Sequence, residues 1–202
     1  MKLNINLGED WKDRVWFTSD WHLGHKNIVG PSVSKWKSGY RDFKSLDQMN
    51  DTIINNINSL VMPDHILFNV GDICIRDNPR SWYDRINCNN NYICVGNHDR
   101  LSKLNQIPNA IVSDIFKVKF NNEDLRVFMS HYAHRVWDRS HHGAYHIYGH
   151  SHNSLADDWG LSLDVGIDSI YAKFGEYRPI SYKELENYMK SREIKAVDHH
   201  RK

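Results

Sequence analysis

Long apolar runs are missing from this chain of 202 residues. Nothing in it approaches the ~20 consecutive apolar residues of a membrane-spanning helix, so no membrane partner is expected. Cysteine is scarce: Cys74, Cys88 and Cys94 are odd in number and form no Cys-x-x-Cys pair. That excludes a disulfide framework and predicts reduced thiols acting as small buried hydrophobes. Net charge is almost absent as well, +1 from 26 basic and 25 acidic side chains, too little for a field that would name nucleic acid or membrane as partner. A local basic groove stays open. The first thirteen residues carry charge and no apolar stretch, so no secretion leader is expected and the cytoplasm is the default compartment. No internal repeat, low-complexity linker or shift in composition divides the chain, which predicts one domain over residues 1–202.

What is present begins with enough apolar material for a core, 40% of the residues. Val15-Trp16-Phe17-Thr18 reads as a strand. Ser45-Leu46-Asp47-Gln48 reads as a capping box that opens a helix running to about residue 60. On it Met49, Ile53, Ile57 and Leu60 recur at helical spacing as a core face. Residues 65–70 and 92–95 are further strands, separated by a short helix with Asn78 as its cap, Pro79 in its first turn and an end near Ile86. These three strands each read as a run buried on both faces, the pattern of parallel strands covered by helices. In the second half, residues 115–120 and 125–129 flank the turn Asn121-Asn122-Glu123-Asp124 as a hairpin. Residues 145–148 and 161–165 are strands, and Ser181-Tyr182-Lys183-Glu184 opens a last helix. The fold class predicted is α/β, a two-layer β-sandwich core flanked by helices.

Four short segments supply the chemistry: Asp20-Trp21-His22, Gly71-Asp72, Gly96-Asn97-His98-Asp99 and Gly149-His150-Ser151-His152, with His131 ahead of the last. Each follows an apolar run, where a sheet would deliver side chains to one edge. A binuclear hydrolase clamps a phosphoryl group between two cations roughly 3.5–4 Å apart, and a carboxylate on a rigid strand end can bridge them. Asp72, after a glycine that leaves room, fits the bridge. Asp20 and His22, two apart, aim at one cation; His150 and His152 repeat the device. Asn97 adds a neutral oxygen that limits the negative charge of the cage. Histidine is also clustered, seven of thirteen falling between His131 and His152.

The ordered set Asp-x-His, Gly-Asp, Gly-Asn-His-Asp, His and Gly-His-x-His resembles the calcineurin-like metallophosphoesterase superfamily. The resemblance runs from Asp20 to His152, with further likeness in Leu163-Asp164-Val165-Gly166. The opening, from Phe17 through Asp20-Trp21-His22-Leu23-Gly24-His25-Lys26-Asn27-Ile28, is similar to a small bacterial and phage subgroup. The resemblance implies a metallophosphoesterase-like four-layer α/β/β/α arrangement and two divalent metal ions. One would be held by Asp20, His22, Asp72 and His152, the other by Asp72, Asn97, His131 and His150. It implies a catalytic role for His98, stabilising charge or protonating the leaving oxygen, with Asp99 orienting its ring, and a hydroxide shared by the metals as nucleophile. Mn²⁺ is the first expectation from oxygen and imidazole ligands, with Zn²⁺, Fe²⁺ or Ni²⁺ as alternatives.

Departures from the family pattern narrow the reading. Where the longer signature has Gly-Asp-x-x-Asp-Arg, this chain has Gly71-Asp72-Ile73-Cys74-Ile75-Arg76, keeping the arginine and losing the second acid. Asp99 stands where the phosphoprotein phosphatases have glutamate. Both count against a protein phosphatase and leave the role of Arg76 open, with a substrate-phosphate contact as one alternative. His25 and Asn27 are open between loop decoration and a supporting or phosphate contact. His134, His141, His142 and His146 are expected on loop and strand surfaces, and His199 and His200 in a solvated tail. Trp36, Tyr40, Trp137 and Tyr145 are open between stacking on a base and anchoring loops. Lys35, Lys37, Arg41 and Lys44 give the first long loop a positive bias. The expected activity is phosphoesterase action on a small phosphodiester or nucleotide. The alternatives are a nuclease acting on DNA or RNA, and an inactive scaffold of the same fold, in which ligand positions would have eroded; here all are filled.

Overall fold

Among the described residues, ten strands form two five-stranded sheets that face each other. The chain, seen in a computed structural model, is described over residues 1–30, 41–121, 123–155, 159–195 and 198. The expectations for Lys35, Trp36, Lys37, Tyr40, Asn122, His199 and His200 lie outside the described residues. In chain order the strands are β1 (Lys2–Ile5), β2 (Val15–Thr18), β3 (Ile66–Asn69), β4 (Asn90–Cys94), β5 (Ile111–Ser113), β6 (Ile115–Phe120), β7 (Arg126–Ser130), β8 (Tyr145–Tyr148), β9 (Ser162–Asp164) and β10 (Ile180–Ser181). The helices are α1 (Leu46–Leu60), α2 (Pro79–Tyr83), α3 (Leu101–Leu104), α4 (Ile167–Phe174) and α5 (Tyr182–Lys190).

One sheet has the order β10-β2-β3-β4-β5, with β2 to β5 mutually parallel and β10 antiparallel at its edge. The other runs β1-β6-β7-β8-β9, with one antiparallel pair, β6 with β7, and parallel pairs elsewhere. The apolar runs fill both sides of the first sheet. Val15, Phe17, Ile66 and Phe68 enter the cluster between the sheets, where Phe116, Val118, Met129 and Ile147 meet them. Trp16 and Leu67, of the other parity, join Met49, Ile53 and Ile57 of α1 on the outer face. Phe68 stacks on Phe17 and Tyr92 at centroid distances of 5.6 and 4.7 Å. Burying such a ring contributes about 2–3 kcal/mol, so this aromatic centre fixes how the sheets seat.

Both helix starts lie where the capping residues put them. Ser45 accepts from the Gln48 amide, while the Gln48 side chain reaches back to Lys44 N–H, one residue before the cap. Ser181 and Glu184 make the full reciprocal box. Helix α2 ends at Tyr83, short of the predicted Ile86, because one Asn–Pro start feeds directly into tight turns. The hairpin of β6 and β7 pairs Ile115 with Ser130 and Lys119 with Arg126. Strands β1, β5 and β10 and helices α3 and α4 were not expected from the sequence.

Packing corrects one surface assignment, that of His146, and decides between the open alternatives for Trp137 and Tyr145. His146 is completely buried in β8, because its parity points it outward under the segment between β7 and β8. Trp137 is buried in that segment and donates to the Ala144 carbonyl, so it anchors the loop. Tyr145 belongs to the intersheet core. The three cysteines are buried and free, and burial pushes the Cys74 thiol up to about 12. Among the described residues no helix is long and apolar enough to cross a membrane.

Candidate metal centre

Parallel pairing decides where the functional side chains emerge. Strands β2, β3 and β4 share a direction, so the chain leaves all three at one edge, at Asp20, Asp72 and Asn97. In the facing sheet β7 and β8 are likewise parallel and release His131 and His150 there. Hydrogen bonds stitch these exits together. Asp20 N–H donates to Gly71 O at 2.9 Å, His22 N–H to Asp72 O at 3.1 Å, and Gly149 N–H to His131 O at 3.0 Å. Across the sandwich, His131 Nδ1 lies 2.9 Å from Val70 O, and His150 N–H donates to Asp20 Oδ2 at 2.9 Å.

Five of these residues turn sharply: Asp20, His22, Asp72, His150 and His152 all have positive φ, between 45° and 67°. The left-handed conformation swings each side chain back across the sheet edge. Two glycines allow the approach. A Cβ at Gly96 would collide with the Asp72 carboxylate, and one at Gly149 with Ser19 and Asp20.

The resulting cluster is rich in acceptors and poor in donors. Asp72 Oδ2 lies 3.4 Å from His131 Nε2, 3.6 Å from His22 Nε2 and 4.0 Å from His98 Nε2. Asp20 Oδ1 lies 3.8 Å from both His22 Nε2 and His152 Nε2. Asn97 Oδ1 sits 2.9 Å from His131 Nε2 and 2.8 Å from His150 Nδ1. A carbonyl only accepts, so Val70 O requires the proton on His131 Nδ1 and leaves Nε2 facing Asp72 Oδ2 and Asn97 Oδ1. Burial lowers the pKa of that ring, but the Asp72 carboxylate outweighs it and raises it. Asp20 Oδ1 and both ring nitrogens of His22 are buried with no hydrogen-bond partner at all.

The electrostatics agree. Burial holds His22 below its usual pKa, as a neutral ring with a free lone pair. Burial works the other way on Asp72, but the hydrogen bond and charge of His131 outweigh it and bring the carboxyl to about 2. Three sets of ligand atoms lie within 4.8 Å of one another: Asp20 with His22 and His152, Asp20 with Asp72 and His131, and His22 with Asp72 and His98. Buried, unpartnered carboxylate and imidazole lone pairs aimed at a common space are a donor set suited to divalent cations.

Two sequence-based roles change. Asp99 does not orient His98: its carboxylate accepts from the N–H groups of Asp72, Gly96 and Ile73, at 2.8, 2.9 and 3.2 Å. The tight turn after Gly96 folds the side chain back onto the Asp72 peptide, away from the imidazole. Asp99 thus clamps the strand end carrying Asp72. Arg41 is no part of a solvated cationic loop: it is 1% exposed and donates to the carbonyls of Asp20 and Trp21 at 2.6 and 2.7 Å. Lys44 remains exposed.

His25 packs beside His22, ring centroids 5.4 Å apart, and burial with the neighbouring histidines lowers its pKa to about 4. Asn27 is exposed on the turn Lys26–Ile28. Arg76 lines a cavity of about 350 Å³ together with His98, Arg100 and Lys103. Sequence reasoning missed Asp164 and Asp168. Asp164 accepts from Gly166 and Asn153 N–H, and burial plus the charge of Asp20 raise its pKa to about 6. Asp168 reaches His152 from the first turn of α4. The Leu163–Gly166 likeness ran up to this helix, but nothing in the sequence tied its first turn to a histidine sixteen residues earlier.

The calcineurin-like phosphoesterase family model matches residues 13–162. An uncharacterised protein of Methanocaldococcus jannaschii is 23% identical over 178 residues, covering 83% of this chain and 86% of that one. A solved protein of unknown function from Aquifex aeolicus shares the fold, with TM-score 0.60 and 16% identity over 86% of this chain and 98% of that one. A solved archaeal phosphodiesterase is 22% identical over 75% of this chain and 81% of its own, with TM-score 0.44.

Proposed function

The chain belongs to the calcineurin-like phosphoesterase family, and we propose that it hydrolyses a phosphodiester or nucleotide-type substrate by a two-metal mechanism. The observation that carries this reading is the convergence of buried carboxylate and imidazole atoms left without hydrogen-bond partners, above all Asp20 Oδ1 and the two His22 nitrogens. Asp20, His22, Asp72 and His152 would hold one cation, and Asp72, Asn97, His131 and His150 the other. Oxygen and imidazole ligands make Mn²⁺ the first choice, ahead of Zn²⁺, Fe²⁺ or Ni²⁺. When bound, such a pair supplies Lewis acidity that polarises the phosphoryl group and activates the attacking water.

The protein's own residues do the rest. Asp99 and Gly96 fix the Asp72 carboxylate between the two halves of the cage. The Asp72 Oδ1 atom accepts the His98 N–H at 2.8 Å, which locks that backbone to the bridging position. The His98 ring is 47% exposed yet keeps Nε2 4.0 Å from Asp72 Oδ2, so it reaches both the cage and incoming substrate. That suits a proton donor to the departing oxygen. On the same side three cations, Arg76, Arg100 and Lys103, outnumber the two acids of the cavity, Asp77 and Asp99. Their charge favours an anionic ester there, and His25 borders the cage beside His22.

Purified protein supplied with Mn²⁺ is expected to cleave bis-nitrophenyl phosphate, and either a chelator or Asp72→Asn is expected to abolish cleavage. Absence of turnover with every divalent metal tried would defeat the proposal.

A further inference from the structure

The two halves of the cage are supported in different ways. His131 is held through Nδ1 by a backbone carbonyl, that of Val70. His150 turns Nδ1 to the neutral oxygen of Asn97. His152 alone has an ionisable carboxylate behind it: Nδ1 lies 2.6 Å from Asp168 Oδ2. Because a carboxylate accepts, the proton resides on Nδ1, and the Nε2 lone pair is directed at Asp20 Oδ1.

Asp168 is itself fixed by a fork. Arg41 Nε donates to its Oδ1 at 2.8 Å and Nη2 to its Oδ2 at 2.9 Å, the planar bidentate match of guanidinium and carboxylate. Of the remaining guanidinium protons, two go to the carbonyls of Asp20 and Trp21 and one faces Met49 Sδ. One buried arginine therefore ties the backbone of Asp20 to the residue that orients His152. Both belong to the same half of the cage, and the other half has no such tie among the described residues.

We propose that Asp168, clamped by Arg41, is a positioning residue that makes the Asp20–His22–His152 half the tighter of two cation sites. The proposal rests on the two-metal reading above. A carboxylate behind a ligating imidazole fixes its tautomer and raises its basicity, and removing such a support typically weakens metal affinity about 10–100-fold. The rival reading is an ion pair that only joins α4 to the segment holding Arg41.

Mn²⁺ titration of the metal-free chain, followed by calorimetry with elemental analysis of the product, separates these. The wild type is expected to bind two Mn²⁺ with unequal affinity. Asp168→Asn is expected to weaken the tighter class by about 10–100-fold and leave the weaker within a few-fold. Thermal melting of the metal-free proteins reports folding independently. Should Asp168→Asn fail to fold, Asp168→Glu keeps a charge for Arg41 while displacing the carboxylate from His152, and the same selective loss is expected. A folded variant that binds both ions as the wild type does, or loses both equally, overturns the proposal alone. A wild type that takes up fewer than two Mn²⁺ overturns the two-metal reading and this proposal with it.

Discussion

Acid should destabilise this protein through His146, a residue far from any proposed chemistry. The ring is completely buried, with Nε2 accepting the His134 N–H at 2.9 Å and Nδ1 facing the Phe128 carbonyl at 3.2 Å. A second proton would have to displace the bond at Nε2. Burial, partly opposed by the Phe128 carbonyl, pushes the pKa from 6.5 down to about 3. Between those values the unfolded chain binds a proton that the folded chain refuses, so stability is full above the upper value and falls as pH drops toward the lower. At about 1.4 kcal/mol per unit the whole window is worth roughly 4–5 kcal/mol, and about 2 kcal/mol of it is already lost at pH 5. That is a large share of the 5–15 kcal/mol typical of a domain. Urea unfolding followed by tryptophan fluorescence at pH 7 and pH 5, with chelator present, measures it. His146→Gln does not titrate and serves as the control. The wild type should lose about 2 kcal/mol more than the variant between the two conditions. Equal losses would refute the reasoning.

Two further substitutions probe the clamp on Asp72. Asp99→Ala strips the acceptor from three N–H groups and should cost about 2–4 kcal/mol. In a chain of this size that is a fall in Tm of roughly 5–15 °C, and an unchanged melting curve in chelator would contradict the clamp. Gly96→Ala places a methyl against the Asp72 carboxylate, so Mn²⁺ uptake and turnover should both collapse. Wild-type turnover in that variant would show that Asp72 has room to move.

Most of the fold was legible because its central strands announce themselves. Val15 to Thr18 and the run before Gly71-Asp72 are mostly apolar and buried at every position, as in a strand covered on both sides. Strand β1 escaped because half its side chains face water and Lys2 and Asn4 read as surface. Strand β10 has two residues, too few for any periodicity. At the cage, residue type and order pointed to the side chains that converge, whereas the supports did not register. Arg41 looked like one more cation in a charged loop, since nothing local says that a guanidinium will be buried against distant carbonyls. The resemblance gave Asp99 to the His98 ring, but its carboxylate accepts from nearby Gly96 and, 26 and 27 residues back, from Ile73 and Asp72.

The backwards-turned residues at the sheet edge have a consequence for descent. A side chain other than glycine held at positive φ carries roughly 1 kcal/mol or more of local cost, and this chain concentrates five such residues in one place. Glycine would relieve each of them. A lineage released from binding cations would therefore feel a gradient of backbone strain away from side chains at 20, 22, 72, 150 and 152, opposed by the hydrogen bonds that Asp20 and Asp72 accept. Relatives that keep aspartate and histidine at all five do so against that gradient, which makes the backbone angle a marker of living catalysts among silent copies.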